Sequence, residues 1–137
     1  MPADITIYNL ESLGAPLGQY SHIARVRAKE HLFIAGMLSA DRDGKTVGIG
    51  DFDKQTDQVF TNLRAALQSA DADFTDVVQF TTYLVHSHYI PNFMDWRLSE
   101  FPKMFPSGVY PPNTLLIIDR LVNEEFMIEV QAIAALG

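Results

Sequence analysis

The sequence predicts an α+β sandwich, β-β-β-α-β-α-β-β in chain order, with its helices on one face of a mixed sheet. Three observations carry this reading. Short segments with apolar residues at alternate positions open the chain, the apolar period lengthens to that of a helix after Asp51, and two segments dense in apolar residues close it. At 137 residues and 47% hydrophobic, the chain suits a single domain, residues 1–137, with no linker, internal repeat or low-complexity tract.

Ile5 to Tyr8 alternates weakly, and Leu13 to Ser21, LGAPLGQYS, is a Gly/Pro loop that delivers Tyr20 to the next strand. In His22 to Lys29, Ala24, Val26 and Ala28 share one face and Arg25 and Arg27 the other, as in a half-buried strand. His31 to Leu38 is more fully apolar, and Gly36 within it implies a bulge or a close backbone approach. The stretch SADRDGKTVGIG then forms a turn-rich loop. From Asp51, Val59, Leu63, Ala66 and Leu67 recur at helical spacing and leave Asp57, Arg64 and Gln68 for solvent.

Val77 to Val85, rich in β-branched and aromatic residues, reads as a central strand. A second helix over Pro91 to Met104 turns Phe93, Trp96, Phe101 and Met104 inward, with Asp95 and Arg97 exposed beside them. NTLLIIDRL and FMIEVQAIAAL are two strands about the polar turn Val122 to Glu125, expected to form an antiparallel hairpin. Leu115 to Ile118 is apolar on both faces, which calls for helices on one side and a further layer, economically a partner subunit, on the other.

Composition narrows the chemistry. Ten Lys+Arg against seventeen Asp+Glu give a formal charge of −7, which repels phosphate backbones, and Arg25, Arg27 and Lys29 are a thin basic patch, so nucleic acid is not an expected partner. The absence of cysteine excludes disulfides and thiolate chemistry. No signal-peptide core or membrane-span-length apolar run occurs, and a cytoplasmic location is expected. There is no G-x-S-x-G, Walker loop, dinucleotide fingerprint or H-E-x-x-H, and no cofactor is expected.

Few residues remain as candidates for chemistry. His86 and His88 would share a face of a continued strand, as two zinc-bound imidazoles do, but no third ligand lies near, and no metal is expected. His22 and His31 are isolated and structural, and the aromatic stripe around Trp96 reads as core. Glu129 lies in the closing strand with Met127 and Gln131, opposite the face of Phe126, Ile128, Val130 and Ala132. Either that second face is solvent and Glu129 a surface residue, or Glu129 is partly buried, its pKa raised, and it holds a water or acts as a base. Pro111 and Pro112 bring the chain to Asn113 and Thr114 in extended form, which either aims those side chains or merely starts a strand.

Taken in order, GQYSHIARV, LFIAGML, QTDQVFTNLRAALQSADADFTDVVQFTTYLV and YPPNTLLIIDRLVNEEFMIEVQAIA resemble the Rid family, the YjgF/YER057c/UK114 proteins, from about Gly18 to Ala134. The resemblance implies a chorismate-mutase-like fold and a homotrimer with small-molecule clefts between subunits. It also implies hydrolysis of imines or enamines, with an arginine after the YP segment binding the substrate carboxylate and a glutamate positioning water. Glu129 matches that glutamate, Tyr20 the tyrosine after the first glycine loop and Gly36 the glycine lining the cleft.

Asn113 stands at the arginine position, followed by Thr114 at that of a small hydroxyl residue. Asparagine offers an amide where arginine offers a charged fork of donors, so a carboxylate loses its anchor there. Arg120, seven residues on, points to the opposite face of a regular strand. Met37, where many relatives carry a polar residue, implies a less polar pocket. The resemblance thus implies a Rid-type deaminase of altered specificity, with Glu129 catalytic and Tyr20, Gly36, Met37, Asn113 and Thr114 binding substrate. The alternatives are a non-catalytic ligand-binding or regulatory trimer and, third, a translation inhibitor with ribonuclease-like activity.

Overall fold

Residue patterning places eight elements along the chain in the expected order, as seen in the computed structural model, which describes residues 2–137. Strands β1 (Asp4–Tyr8) and β2 (Ile23–Arg27) form an antiparallel ribbon in which Ile5 faces Val26. Strand β3 (Glu30–Met37) precedes helix α1 (Phe52–Gln68). The helix begins where Asp51 accepts the Lys54 amide at 3.0 Å, satisfying a donor that the first turn leaves unpaired. Strand β4 (Val77–Leu84), helix α2 (Ile90–Met104), and strands β5 (Asn113–Ile117) and β6 (Ile128–Leu136) complete the chain.

The main sheet has the order β3-β6-β4-β5, with β4 and β5 parallel and the other neighbours antiparallel. The expected hairpin between the last two strands does not form. Helix α2 carries the chain back so that β5 lies parallel to β4, as a β-α-β crossover does, and residues 118–127 then pass to the far side of β4, where β6 inserts beside β3. The β1–β2 ribbon is a separate two-stranded sheet. It meets the main sheet through a Pro2–Leu136 bridge, the Lys29 amide on the Leu136 carbonyl at 2.9 Å, and a Ser21–Pro112 bridge just ahead of β5.

Both helices cover one face of the main sheet. Val59, Phe60, Leu63 and Leu67 of α1 and Phe93, Trp96 and Phe101 of α2 meet Phe80, Leu84, Ile128, Val130, Ala132 and Ala134 in one buried cluster. Phe60 is its hub, with ring centroids of Trp96 at 4.7 Å, Phe101 at 5.7 Å and Phe80 at 5.8 Å. Trp96 keeps its Nε1–H satisfied by donating to Asp57 at 2.8 Å.

Two local expectations are corrected. Arg97 is not exposed: it is 2% accessible, because positions 93, 97 and 101 fall one above another on the inward stripe of α2. The strand before His86 ends at Leu84, and His86 Nδ1 instead accepts the His88 amide at 3.0 Å, capping a short 3-10 turn. Among the described residues no cluster of His, Asp and Glu is arranged to hold a metal, and no helix is long and apolar enough to cross a membrane.

Candidate active site on the open sheet face

The face of the sheet away from the helices is built by alternation. Leu84, Thr82 and Phe80 of β4 turn inward, so Tyr83 and Thr81 turn outward, and β6 presents Glu129, Gln131 and Ile133 beside them. Registration sets two rows across the strands: Glu129, Tyr83 and Leu116 in one, Gln131, Thr81 and Thr114 in the next. Tyr83 Oη and Gln131 Oε1 are 3.3 Å apart, linking the rows.

Gly36 decides where Glu129 lies. Ile34 pairs with Ala132 and Met37 with Val130, so Ala35 and Gly36 together oppose Gln131 in a β-bulge. A Cβ at Gly36 would fall on the Glu129 carboxylate, within 2.6 Å of Cδ, so the carboxyl group rests where only glycine leaves room. No donor pairs with that carboxylate among the described residues, and burial raises its pKa above the ordinary 4.5. An acid that is partly desolvated, unpaired and held against backbone is suited to taking a proton from water.

Two side-chain amides, one buried and one half-buried, hold this arrangement from behind. Gln55, fully buried on α1, donates to the carbonyls of Gly48 at 3.2 Å and Glu125 at 2.9 Å and accepts the Met127 amide at 2.9 Å, fixing the entry to β6 two residues before Glu129. Asn62 donates to the carbonyls of Leu38 and Ala40, both at 2.9 Å, and fixes the exit from β3 just beyond Gly36. Sequence reasoning passed over both, as well as Tyr83. The signal was a polar residue at an inward helical position for Gln55, and strand parity with Thr81 for Tyr83.

The remaining candidates fall elsewhere within the single chain. Thr114 shares the open face but lies two strands from Glu129. Asn113 turns toward the helical layer, where its Oδ1 accepts from Thr82 Oγ1 at 2.8 Å, leaving its Nδ2 hydrogens for another acceptor. Beyond the bulge, Met37 packs against the core cluster. Tyr20 Oη accepts the Leu17 amide at 3.1 Å, and the Tyr20 ring lies 5.8 Å from the Arg97 guanidinium carbon. Arg120 bonds to the Leu121 and Val122 carbonyls and to Glu124, within its own turn. It does not reach Asn113's position.

Known proteins share this architecture. The family model described as endoribonuclease L-PSP matches residues 11–136. A RutC family protein of Pyrococcus horikoshii is 30% identical over 124 residues, covering 90% of this chain and 92% of the relative. The crystal structure of YyfB from Yersinia pestis, described as a protein of unknown function of the conserved Rid family, superposes with a TM-score of 0.84 at 29% identity, covering 96% of this chain and 98% of that one. A structure from Rhodopseudomonas palustris described as a probable translation initiation inhibitor, 24% identical with a TM-score of 0.66 over 97% of this chain and 98% of its own, shares the fold. With its length matched almost end to end in both sequence and architecture, this chain belongs to the Rid family.

Proposed function

We propose that this protein hydrolyses small imines or enamines in clefts completed between the subunits of a homotrimer, with Glu129 as the proton-handling group. The observation that carries the reading is the unpaired, partly desolvated Glu129 carboxylate lying across Gly36 on the open sheet face. Water held by Glu129 attacks the C=N carbon while the carboxylate accepts its proton. That proton passes to nitrogen to give the carbinolamine, whose hydroxyl proton then follows it through Glu129 as the C–N bond breaks, releasing ammonia and leaving a carbonyl, so that one water is consumed for each amine released.

Asn113 sets the specificity in this reading. With Oδ1 engaged by Thr82, its amide donates to a neutral acceptor such as a carbonyl or amide oxygen, and the preferred substrates do not depend on a carboxylate at this position. Tyr20 and Thr114 line the same inter-subunit cleft. The names of several relatives suggest a ribonuclease instead, but the groove of the β1–β2 ribbon that holds Arg25 and Arg27 also holds Asp4, and the chain carries seven net negative charges.

The test compares wild type with Asn113→Arg on freshly generated 2-aminoacrylate and on neutral imines, following ammonia release. Turnover of neutral imines by wild type, with 2-aminoacrylate hydrolysed only by the arginine variant, is expected. Saturable binding of imine analogues with no ammonia from either protein would replace the enzyme by a ligand-binding trimer. Wild-type turnover of 2-aminoacrylate would instead remove the specificity assigned to Asn113.

A further inference from the structure

Arg97 is a buried cation without a counter-charge. Its side chain is 2% accessible, and neither Nε nor Nη1 has a hydrogen-bond partner. Nη2 reaches only the thioether of Met94 at 3.0 Å, a weak acceptor. The ion pairs among the described residues are Arg64–Asp73, Lys103–Glu100 and Arg120–Glu124, and none involves Arg97. Around the guanidinium stand the rings of Phe93, Tyr20 and Phe101, at 4.7, 5.8 and 6.0 Å from its carbon to their centroids. Their faces offset part of the desolvation, although they supply no acceptor in the guanidinium plane. Burial lowers the Arg97 pKa to about 10, so the group remains charged at neutral pH.

What covers Arg97 is the loop from Leu13 to Tyr20. Gly18 lies so close that a Cβ there would stand 2.9 Å from Nη2 and 2.7 Å from Met94 Cε. The loop is tied mainly to itself, by Leu13 to the Leu10 carbonyl, Leu17 to Tyr20 Oη, and Tyr20 to the Gly18 carbonyl. Leu13 and Leu17 project from it, 50% and 83% exposed. Such a loop can lift without breaking a ladder of the main sheet.

We propose that Arg97 is the anion-binding residue of a second site, beneath the Leu13–Tyr20 loop, for the carboxylate of a small monoanionic metabolite. Removing one partner of a buried charge pair is costly because the other is left uncompensated, and Arg97 stands in that condition until an anion completes it. A carboxylate seated on a bidentate edge of the guanidinium takes the place of the thioether contact once the loop lifts at Gly18. One cation with no lysine, histidine or second arginine at its donors matches a single negative charge, and a planar ion fits between aromatic faces where a tetrahedral dianion does not. Glu129 lies on the opposite face of the sheet from Arg97, and Tyr20, which the proposed hydrolytic cleft also uses, borders this site, so the titration reads Arg97 itself and does not depend on hydrolysis.

The experiment titrates the whole protein with sodium acetate, using sodium chloride at equal ionic strength, acetamide and inorganic phosphate as comparisons. It follows the Arg97 Nε–H resonance, assigned by its loss in Arg97→Met, together with the melting temperature. Acetate is expected to shift that resonance saturably and raise the melting temperature, while acetamide and chloride do neither. Arg97→Lys, which keeps the charge but loses the fork, is expected to bind at least tenfold more weakly, and Arg97→Met to lose the acetate-dependent stabilisation. The proposal is overturned by an acetate response no larger than that of chloride, by an equal response in Arg97→Met, or by saturable binding of phosphate in preference to acetate. If Arg97→Met does not fold, the wild-type titration and the Arg97→Lys comparison still decide, since a purely structural arginine gives no saturable acetate shift.

Discussion

At Glu129 the physical chemistry gives a sign that can be checked. Burial raises its pKa, so the folded chain holds this proton to higher pH than the unfolded chain does. The ionised carboxylate therefore costs stability. That cost is absent below the ordinary value of 4.5, grows as pH rises toward the raised folded value, and is fully present above it. Glu129→Gln is accordingly expected to melt at or above the wild-type temperature at pH 7 and to lose that advantage at pH 4, while abolishing ammonia release. Thermal unfolding at the two pH values checks the first part, and an advantage confined to pH 4 would exclude desolvation as the cause. The face on which Glu129 lies was legible from strand parity, but its state was not. That state depends on Gly36, a neighbour across the sheet, and on a bulge that no local pattern positions to the residue. Asn113 illustrates the same limit, since its Thr82 partner comes from another strand 31 residues away.

Among the elements, order and type were legible while pairing was not. Eight segments could be recognised because each carries its own period, yet the last two strands looked like a hairpin because a polar turn lies between them. Their separation follows from α2, whose crossover commits β5 to the edge beside β4 and leaves the interior slot to β6. In α2 the offsets linking Phe93, Arg97 and Phe101 were visible, but charge was taken as a sign of exposure, and an arginine enclosed by aromatic rings reverses that inference. Gln55 joins α1 to the start of β6 through three hydrogen bonds made by one buried amide. Gln55→Leu keeps the volume but leaves two carbonyls and the Met127 amide without their partner. It is expected to cost about 3 kcal/mol in urea unfolding and to lower turnover by loosening the entry to Glu129. A loss of stability below about 0.5 kcal/mol, the level of an ordinary surface substitution, would mean that water replaces the side chain.

For the molecule as a whole, the contrast between its two faces calls for a partner. Helices bury the central strands on one side of the sheet, while on the other Phe33 is 78% exposed and Leu116 39%. The double-sided apolar character of LLII was legible in the sequence, and the chain supplies a cover for only one side. A second copy can cover both Phe33 at one edge strand and Leu116 at the other, since the two lie on opposite edges of the same sheet and a closed ring brings unlike edges of neighbouring subunits together. Phe33 lies outside the buried core cluster and pairs across β6 with Ile133, so a charge there leaves the fold of one chain intact while burdening any interface that covers it. Wild type is expected to sediment at three times the chain mass of 15.4 kDa. Phe33→Asp is expected to shift toward that single-chain mass with an unchanged far-ultraviolet spectrum. Ammonia release should fall in parallel with dissociation, because the proposed cleft takes its second wall from the neighbour. A dissociated Phe33→Asp variant with undiminished turnover would place all the chemistry within one chain.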